Sequence, residues 1–281
     1  MAKNPDKVIG LIAGQGRLPF LVAEGAKRAG LKVICVGLSE DADAKLAERV
    51  DVFFQGAVAR PGGWMRKLRR FGVRETIMVG RVSKRKIFTP WRIIRYLPDW
   101  RALRIWYWRL RNKDKRNETL LNAIAEELAG GGIILEDSTM YCKEHIADEG
   151  VLTQCQPGES ARNDIAFGWP LVKELARLDI GQAIAVRERE VIAVEAIEGT
   201  AEMIARAGQL CKKGGWVLLK AAGPNQDMRF DVPCIGTDTI ESLAANKCRC
   251  VVVEAGKTII IDKPQTLELA DKLGITVIGR S

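Results

Sequence analysis

The stretch KVIGLIAGQGRLPFLVAEGAKRAG, Lys7 to Gly30, sets the architecture of the first half of the chain. An apolar run from Val8 to Ala13 breaks into Gly14-Gln15-Gly16, and apolar residues then recur at Leu18, Leu21, Val22 and Ala26 with helical spacing. Strand, glycine turn and helix in that order open a doubly wound α/β domain. A dinucleotide fingerprint, G-x-G-x-x-G, needs a third glycine where this chain has Pro19. Proline suits the first turn of a helix, where the N–H has no partner to lose, and the glycine turn ahead of it exposes backbone N–H groups to an anion. A nicotinamide enzyme also places a ribose-binding acid near the end of its second strand, and CVGLSE offers only the displaced Glu40.

Beyond this stretch, the first half alternates. Strands are expected at Val8–Ala13, 32–36, 51–55, 76–79 and 132–135, with helices around 19–29, 64–71 and 118–128, which implies a mostly parallel sheet with helices on both faces. Ligands of such sheets gather at the carboxyl ends of the strands, where Gly14, Gly16, Gly37 and Gly80 stand. The stretch from Glu136 to Trp169 shows little periodicity and holds the single histidine, His145. The second half opens on a hairpin of 182–186 and 191–195 turned through Arg187-Glu188-Arg189-Glu190. It continues with a helix from Thr200 to Cys211, a strand at 216–221, a helix at 239–245, strands at 250–254 and 258–261, a helix at 264–273 and a last strand at 275–278. The expected fold class is therefore α/β, a Rossmann-like N-terminal domain over residues 1–150 and a separate α/β catalytic domain over 151–281.

Composition narrows the function classes. With 281 residues, 47% of them hydrophobic, the chain can bury two cores. No apolar run nears the roughly 20 residues that cross a bilayer, and MAKNPDK is no signal-peptide start, so a cytoplasmic protein is expected. Seven scattered cysteines suit reduced thiols, and Cys248-Arg249-Cys250 reads as strand thiols better than zinc ligands. The formal charge of +9 is concentrated: residues 81–116 hold thirteen Lys or Arg against Asp99 and Asp114, together with Trp91, Trp100, Trp106 and Trp108. Such interleaving suits core docking with solvated cations, an anionic membrane surface, or nucleic acid. A nicotinamide-dependent oxidoreductase and a basic nucleic-acid binder are the rival function classes.

The polar groups that carry chemistry cluster at strand ends of the second half. In LDIGQAIAVREREVIAVEAIEGT, Gln182 opens the hairpin while Glu195, Glu198 and Thr200 close it. Alternation draws Glu195 inward, where a carboxylate needs a cation or metal to stay ionised. Equally, Glu198-Gly199-Thr200 can be a turn and helix cap. In LLKAAGPNQDMRFDVPCIGTDT, Lys220 ends an apolar strand, and Asn225, Gln226, Asp227 and Arg229 crowd a loop ahead of Asp231. These groups fit either a hard-metal and phosphate site or a polar surface loop.

The blocks LIAGQGRLP (Leu11–Pro19), RLDIGQ (Arg177–Gln182), AVEAIEGT (Ala193–Thr200), Lys220 and RFDVPCIG (Arg229–Gly236), in this order across nearly the whole chain, resemble the two-domain UDP-2,3-diacylglucosamine pyrophosphatases of lipid A biosynthesis. The resemblance implies hydrolysis of UDP-2,3-diacylglucosamine to UMP and 2,3-diacylglucosamine 1-phosphate with Mg²⁺ or Mn²⁺. It places the family's key aspartate at Asp231, with Lys220 and Arg229 offsetting phosphoryl charge and Asp231 and Glu195 as metal ligands. Gly14, Gln15, Gly16, Gly80, Gln182, Glu198, Thr200 and Gln226 are the expected substrate-binding residues. The implied partners are the UDP-linked diacylated glucosamine, an anionic inner-leaflet surface and a second copy of the chain, without nucleic acid. The chain departs from the family's acidic G-D-D-A-L-L helix start with Arg116-Asn117-Glu118-Thr119-Leu120-Leu121.

Overall fold

In the computed structural model, which describes residues 7–38, 44–81, 99–111, 117–224, 226–230 and 232–281, the chain divides into two compact units. One is Met1–Cys142 with Asp227–Phe230, the other Lys143–Gln226 with Asp231–Ser281. Outside the described residues lie Glu40, Asn225, Asp231 and most of the basic, Trp-rich segment, 82–98 and 112–116.

In the first unit, β1 (Val8–Ala13), α1 (Leu18–Arg28), β2 (Lys32–Leu38), β3 (Val52–Gly56), α2 (Pro61–Arg70), β4 (Glu75–Val79), α3 (Trp100–Arg111), α4 (Asn117–Gly130) and β5 (Ile134–Leu135) follow in sequence. The sheet is parallel throughout, in the order β3-β2-β1-β4-β5, which is the doubly wound arrangement. Its central strands are continuous apolar runs because helices cover both faces: α1 buries Phe20, Leu21 and Val22, while Trp64, Met65 and Leu68 of α2 pack with Ile12, Ile34, Val36 and Leu128. Pro19 sits in the first turn of α1, as the sequence predicts. Residues Asp227–Phe230 return to this unit: the Ser138 amide and hydroxyl both donate to the Met228 carbonyl, and Phe230 packs on the apolar cluster.

The described part of the basic segment is α3 and its approach. One carboxylate, Asp99, accepts from Gly62 N at 2.7 Å and from Ala102 N at 2.9 Å, capping α2 and α3 together. Arg101 and Arg104 both pair with Glu127 of α4, which is buried. Trp100, Leu103 and Tyr107, spaced along one stripe of α3, stay exposed.

In the second unit, β6 (Gly150–Val151), α5 (Glu159–Arg177), β7 (Ala183–Arg187), β8 (Glu190–Val194), α6 (Thr200–Leu210), β9 (Val217–Lys220), β10 (Cys234–Ile235), α7 (Thr237–Ala245), β11 (Cys250–Glu254), β12 (Ile259–Ile260), α8 (Lys263–Lys272) and β13 (Thr276–Arg280) build a six-stranded sheet, β6-β13-β11-β9-β7-β8. Strands β9, β11 and β13 are parallel, and the β7–β8 hairpin adds antiparallel to β9. Glu188 and Arg189 both take positive φ in the hairpin turn. One face packs under α5 (Ile165, Trp169 and Val172 on Ile184, Leu219 and Val252), the other under α6 (Met203 and Ile204 with Ala193, Leu218 and Val253).

One expectation is corrected. The stretch ending at Trp169 contains the first half of α5, a 19-residue helix. Its apolar face, Ile165, Trp169, Val172 and Ala176, keeps helical spacing, but Asp164 and Gly168 are buried on the same helix and Pro170 sits inside it, which blurs the period in sequence.

Candidate functional site

Four expected residues meet at one edge of the second sheet. Parallel β9 and β11 bring their carboxyl ends, Lys220 and Glu254, to that edge, and the start of antiparallel β7 and the end of β8 arrive there too. Ala183 pairs with Lys220, and the Glu195 amide donates to the Ala183 carbonyl at 2.8 Å. The Gln182 carbonyl accepts from Ala221 N at 2.9 Å. Alternation then puts Leu218 and Lys220, and likewise Ala193 and Glu195, on the face under α6.

Thr200, the first residue of α6, joins the two charges. Its hydroxyl donates to Glu195 Oε1 at 2.8 Å and accepts from Lys220 Nζ at 3.1 Å. Glu195 is 5% exposed and Lys220 6%, so their polar ends rely on protein hydrogen bonds rather than on water. Glu195 Oε2 and Gln182 Oε1 are buried without a hydrogen-bond partner among the described residues. The cap reading of Glu198-Gly199-Thr200 is half corrected: Gly199 is the N-cap and has no side chain to cap with, and Thr200 points its hydroxyl at Glu195 instead. Glu198 is a turn residue, accepting from Ala196 N at 3.1 Å and from Arg206 Nη2 at 2.6 Å.

Gln226 and Arg229 take no part in the Glu195–Thr200–Lys220 hydrogen bonds. Gln226 closes its own turn, its Oε1 accepting from Gly223 N at 2.8 Å. Arg229 belongs to the first unit, where Nε and Nη2 bind the Asp227 carboxylate and Nη2 reaches Asn122 Oδ1 at 3.3 Å. Hydrogen bonding from Arg229 holds the Asp227 carboxyl below the usual carboxylate range, and Asp227 in turn raises the Arg229 pKa. Asp231 lies outside the described residues. His145 accepts from Lys263 N at 3.3 Å through Nδ1, holding the start of α8.

In the first unit the glycine turn lies at the switch point of the sheet, between β1 and β4. The expectation that its amides face an anion is corrected for two of them. Gly14 N donates to Val79 O at 2.8 Å and Gln15 N to Arg81 O at 2.8 Å, with Arg81 N returning to Gln15 O at 3.0 Å. The strand tips approach so closely that a Cβ on Gly80, whose φ is 95°, would lie 2.8 Å from the Gln15 carbonyl oxygen. Gly16 stands beyond this pairing, with open space where a side chain would be.

Sequence reasoning missed Glu254. It ends β11 on the face under α5, 3% exposed, with Oε1 accepting from Lys173 Nζ at 2.8 Å and Lys257 Nζ at 2.9 Å and Oε2 from Ala222 N at 2.8 Å. Burial pushes its carboxyl up, but the two lysines and the Ala222 amide outweigh this and hold it below the usual range. The available signal was a charge closing an apolar run, CVVVE, as Lys220 closes WVLLK. Among the described residues no group of three or more His, Cys, Asp or Glu gathers as metal ligands.

Two family models divide the chain between them: the LpxI N-terminal domain matches residues 8–145 and the LpxI C-terminal domain residues 148–278. The chain is 31% identical over 281 aligned positions to the UDP-2,3-diacylglucosamine pyrophosphatase LpxI of Caulobacter vibrioides (strain ATCC 19089 / CIP 103742 / CB 15), covering 96% of each sequence. Both halves of the architecture and a full-length relative thus agree, and the chain belongs to the LpxI family.

Proposed function

We propose that this protein hydrolyses the pyrophosphate of UDP-2,3-diacylglucosamine, releasing UMP and 2,3-diacylglucosamine 1-phosphate, at the Glu195–Thr200–Lys220 edge of the second sheet. The full-length likeness to a UDP-2,3-diacylglucosamine pyrophosphatase carries the substrate, and the buried ammonium–hydroxyl–carboxylate chain supports the chemistry. Lys220 offers a positive charge at a strand end where charge builds on phosphoryl oxygens, and its bond to Thr200 fixes its direction before substrate arrives. Glu195 holds Thr200, and Gln182 holds the backbone of β9 next to Lys220. Arg229 of the first unit is already engaged by Asp227, so Arg229→Lys is expected to slow the enzyme less than Lys220→Met. Gly14, Gln15, Gly16 and Gly80 form a substrate lip in this reading, with Gly16 its open position. Glu198, Thr200 and Gln226 shape the loops around the second-unit edge.

The donor set suits Mg²⁺ or Mn²⁺. Glu195 Oε2 and Gln182 Oε1 are buried oxygens without partners among the described residues, the ligand type these ions take, and Asp231 would supply the second carboxylate in this assignment. A divalent ion held there would polarise the pyrophosphate and help orient water. Contact with anionic lipid is supported by α3, whose exposed stripe of Trp100, Leu103 and Tyr107 would rest at headgroup depth on the inner leaflet.

Release of UMP from UDP-2,3-diacylglucosamine by the purified protein tests the reading. Lys220→Met and Asp231→Asn are each expected to lower the rate by roughly 100-fold or more with the fold intact. Rates within about threefold of wild type would sink the assignment. Chelation should abolish turnover and added Mg²⁺ or Mn²⁺ restore it; full activity in excess chelator would remove the metal from the mechanism.

A further inference from the structure

A cavity of about 520 Å³ lies at the carboxyl end of β3 in the first unit, and none of its lining residues has a part in the proposed hydrolysis. Gln55, Gly56 and Ala57 form its floor and the exposed face of α2 its wall. Among the described residues four cations line it, Arg60, Arg66, Lys67 and Arg70, and no Asp or Glu stands with them. Helical spacing makes this a constructed face, since Gly63, Arg66, Lys67 and Arg70 fall on one side of α2. Arg66 and Arg70, one turn apart, repel each other unless an anion lies between them.

The wall also holds an unmet donor. Trp64 is 5% exposed, lines the cavity and keeps its indole Nε1–H buried with no hydrogen-bond partner among the described residues. Gly56 makes room for that indole edge: a Cβ there would come within 2.9 Å of Trp64 Cδ1. Lys67 is steadied over the Phe54 ring at 5.1 Å, which limits its freedom before any ligand binds. Convergent cations, a buried N–H donor and the carboxyl end of a parallel strand together describe a site for a compact, multiply charged oxyanion.

We infer that this cavity of the first unit binds a phosphoryl group, either on an anionic lipid headgroup or on a soluble phosphate compound. The bland competitor is a helix whose last-turn cations merely complement its dipole, and Arg69 separates the two, being exposed on α2 but outside the cavity.

The test uses the full chain with ¹⁵N-labelled tryptophan, titrated with inorganic phosphate and read at the indole N–H of Trp64, assigned by its loss in Trp64→Phe. The signal is expected to move saturably. The double variant Lys67→Gln/Arg70→Gln should weaken the response at least about tenfold, and Arg69→Gln should leave it within about twofold. An unmoved Trp64 signal, or an Arg69→Gln variant that weakens binding as much as the double variant, overturns the site. Should Trp64→Phe not fold, calorimetry with phosphate on the other two variants reads the same two outcomes. Vesicles of phosphatidic acid in phosphatidylcholine then identify the source: competition with phosphate assigns the lipid headgroup, and vesicles that leave phosphate binding unchanged assign a soluble ligand. Because hydrolysis is not the readout, failure here leaves the proposed pyrophosphatase activity standing.

Discussion

Thr200 is the residue on which the proposed edge turns, because its one hydroxyl serves two charges. Thr200→Val keeps the shape and removes the hydroxyl, leaving Oε1 of the buried Glu195 without that donor. Stability is expected to fall by about 1–3 kcal/mol in urea unfolding, with activity falling alongside, while Thr200→Ser restores most of both. An unchanged midpoint would mean that Glu195 finds another donor. The cysteines, too, differ one from another by their surroundings. Burial pushes the Cys35 and Cys248 thiols up to about 12 and raises Cys250 as well, whereas Cys155 and Cys234 are only half-buried. Mass spectrometry after brief alkylation at neutral pH should find label at Cys155 and Cys234 first, with Cys35, Cys248 and Cys250 protected until unfolding.

Between elements, Glu254 ties β11 to the residues following β9 and to α5. Its folded-state pKa lies below the ordinary value of 4.5, so ionised Glu254 contributes stability above that value and the contribution is lost as pH falls through the folded-state pKa. Glu254→Gln is therefore expected to be less stable near neutrality and to show a shallower loss of stability in acid; parallel curves for the two proteins would remove Glu254 as a source of acid sensitivity. Elements with one clear period were legible in the sequence. β1, α1, β2 and the β7–β8 hairpin stand within a few residues of their expected limits because an apolar run, a proline-started helix and a polar turn are local signals. α5 was not legible as a helix from its start, since its buried Asp164 is explained only by Arg189 N, a partner 25 residues away in the hairpin turn. Of the site, Glu195 and Lys220 announced themselves as charges at strand ends. Thr200 reads both as a helix cap and, by the family resemblance, as a substrate-binding residue, but nothing local reveals that a carboxylate five residues earlier will claim its hydroxyl.

For the molecule as a whole, the piece least legible in sequence is Asp227–Phe230, which leaves the second half of the chain to complete the first unit. Tertiary contacts define that excursion: Met228 with Ser138, Arg229 with Asn122, and Phe230 with the apolar cluster of the first unit. Phe230→Ala is expected to weaken the first unit by about 1–2 kcal/mol, seen as earlier loss of its amide signals on heating. The Rossmann-like half was recognisable from one strand–turn–helix, yet its behaviour at the switch point was not. Doubly wound sheets ordinarily let two strand tips diverge there. In this protein Gln15 and Arg81 exchange backbone hydrogen bonds and stitch the tips of β1 and β4 together. Measured in time, the stitch makes the glycine turn part of the slow-opening core: the Gln15 and Arg81 amide protons should survive in heavy water as long as those of Leu11 and Ile77, while the amide of Gly16 exchanges with the speed of an ordinary surface loop.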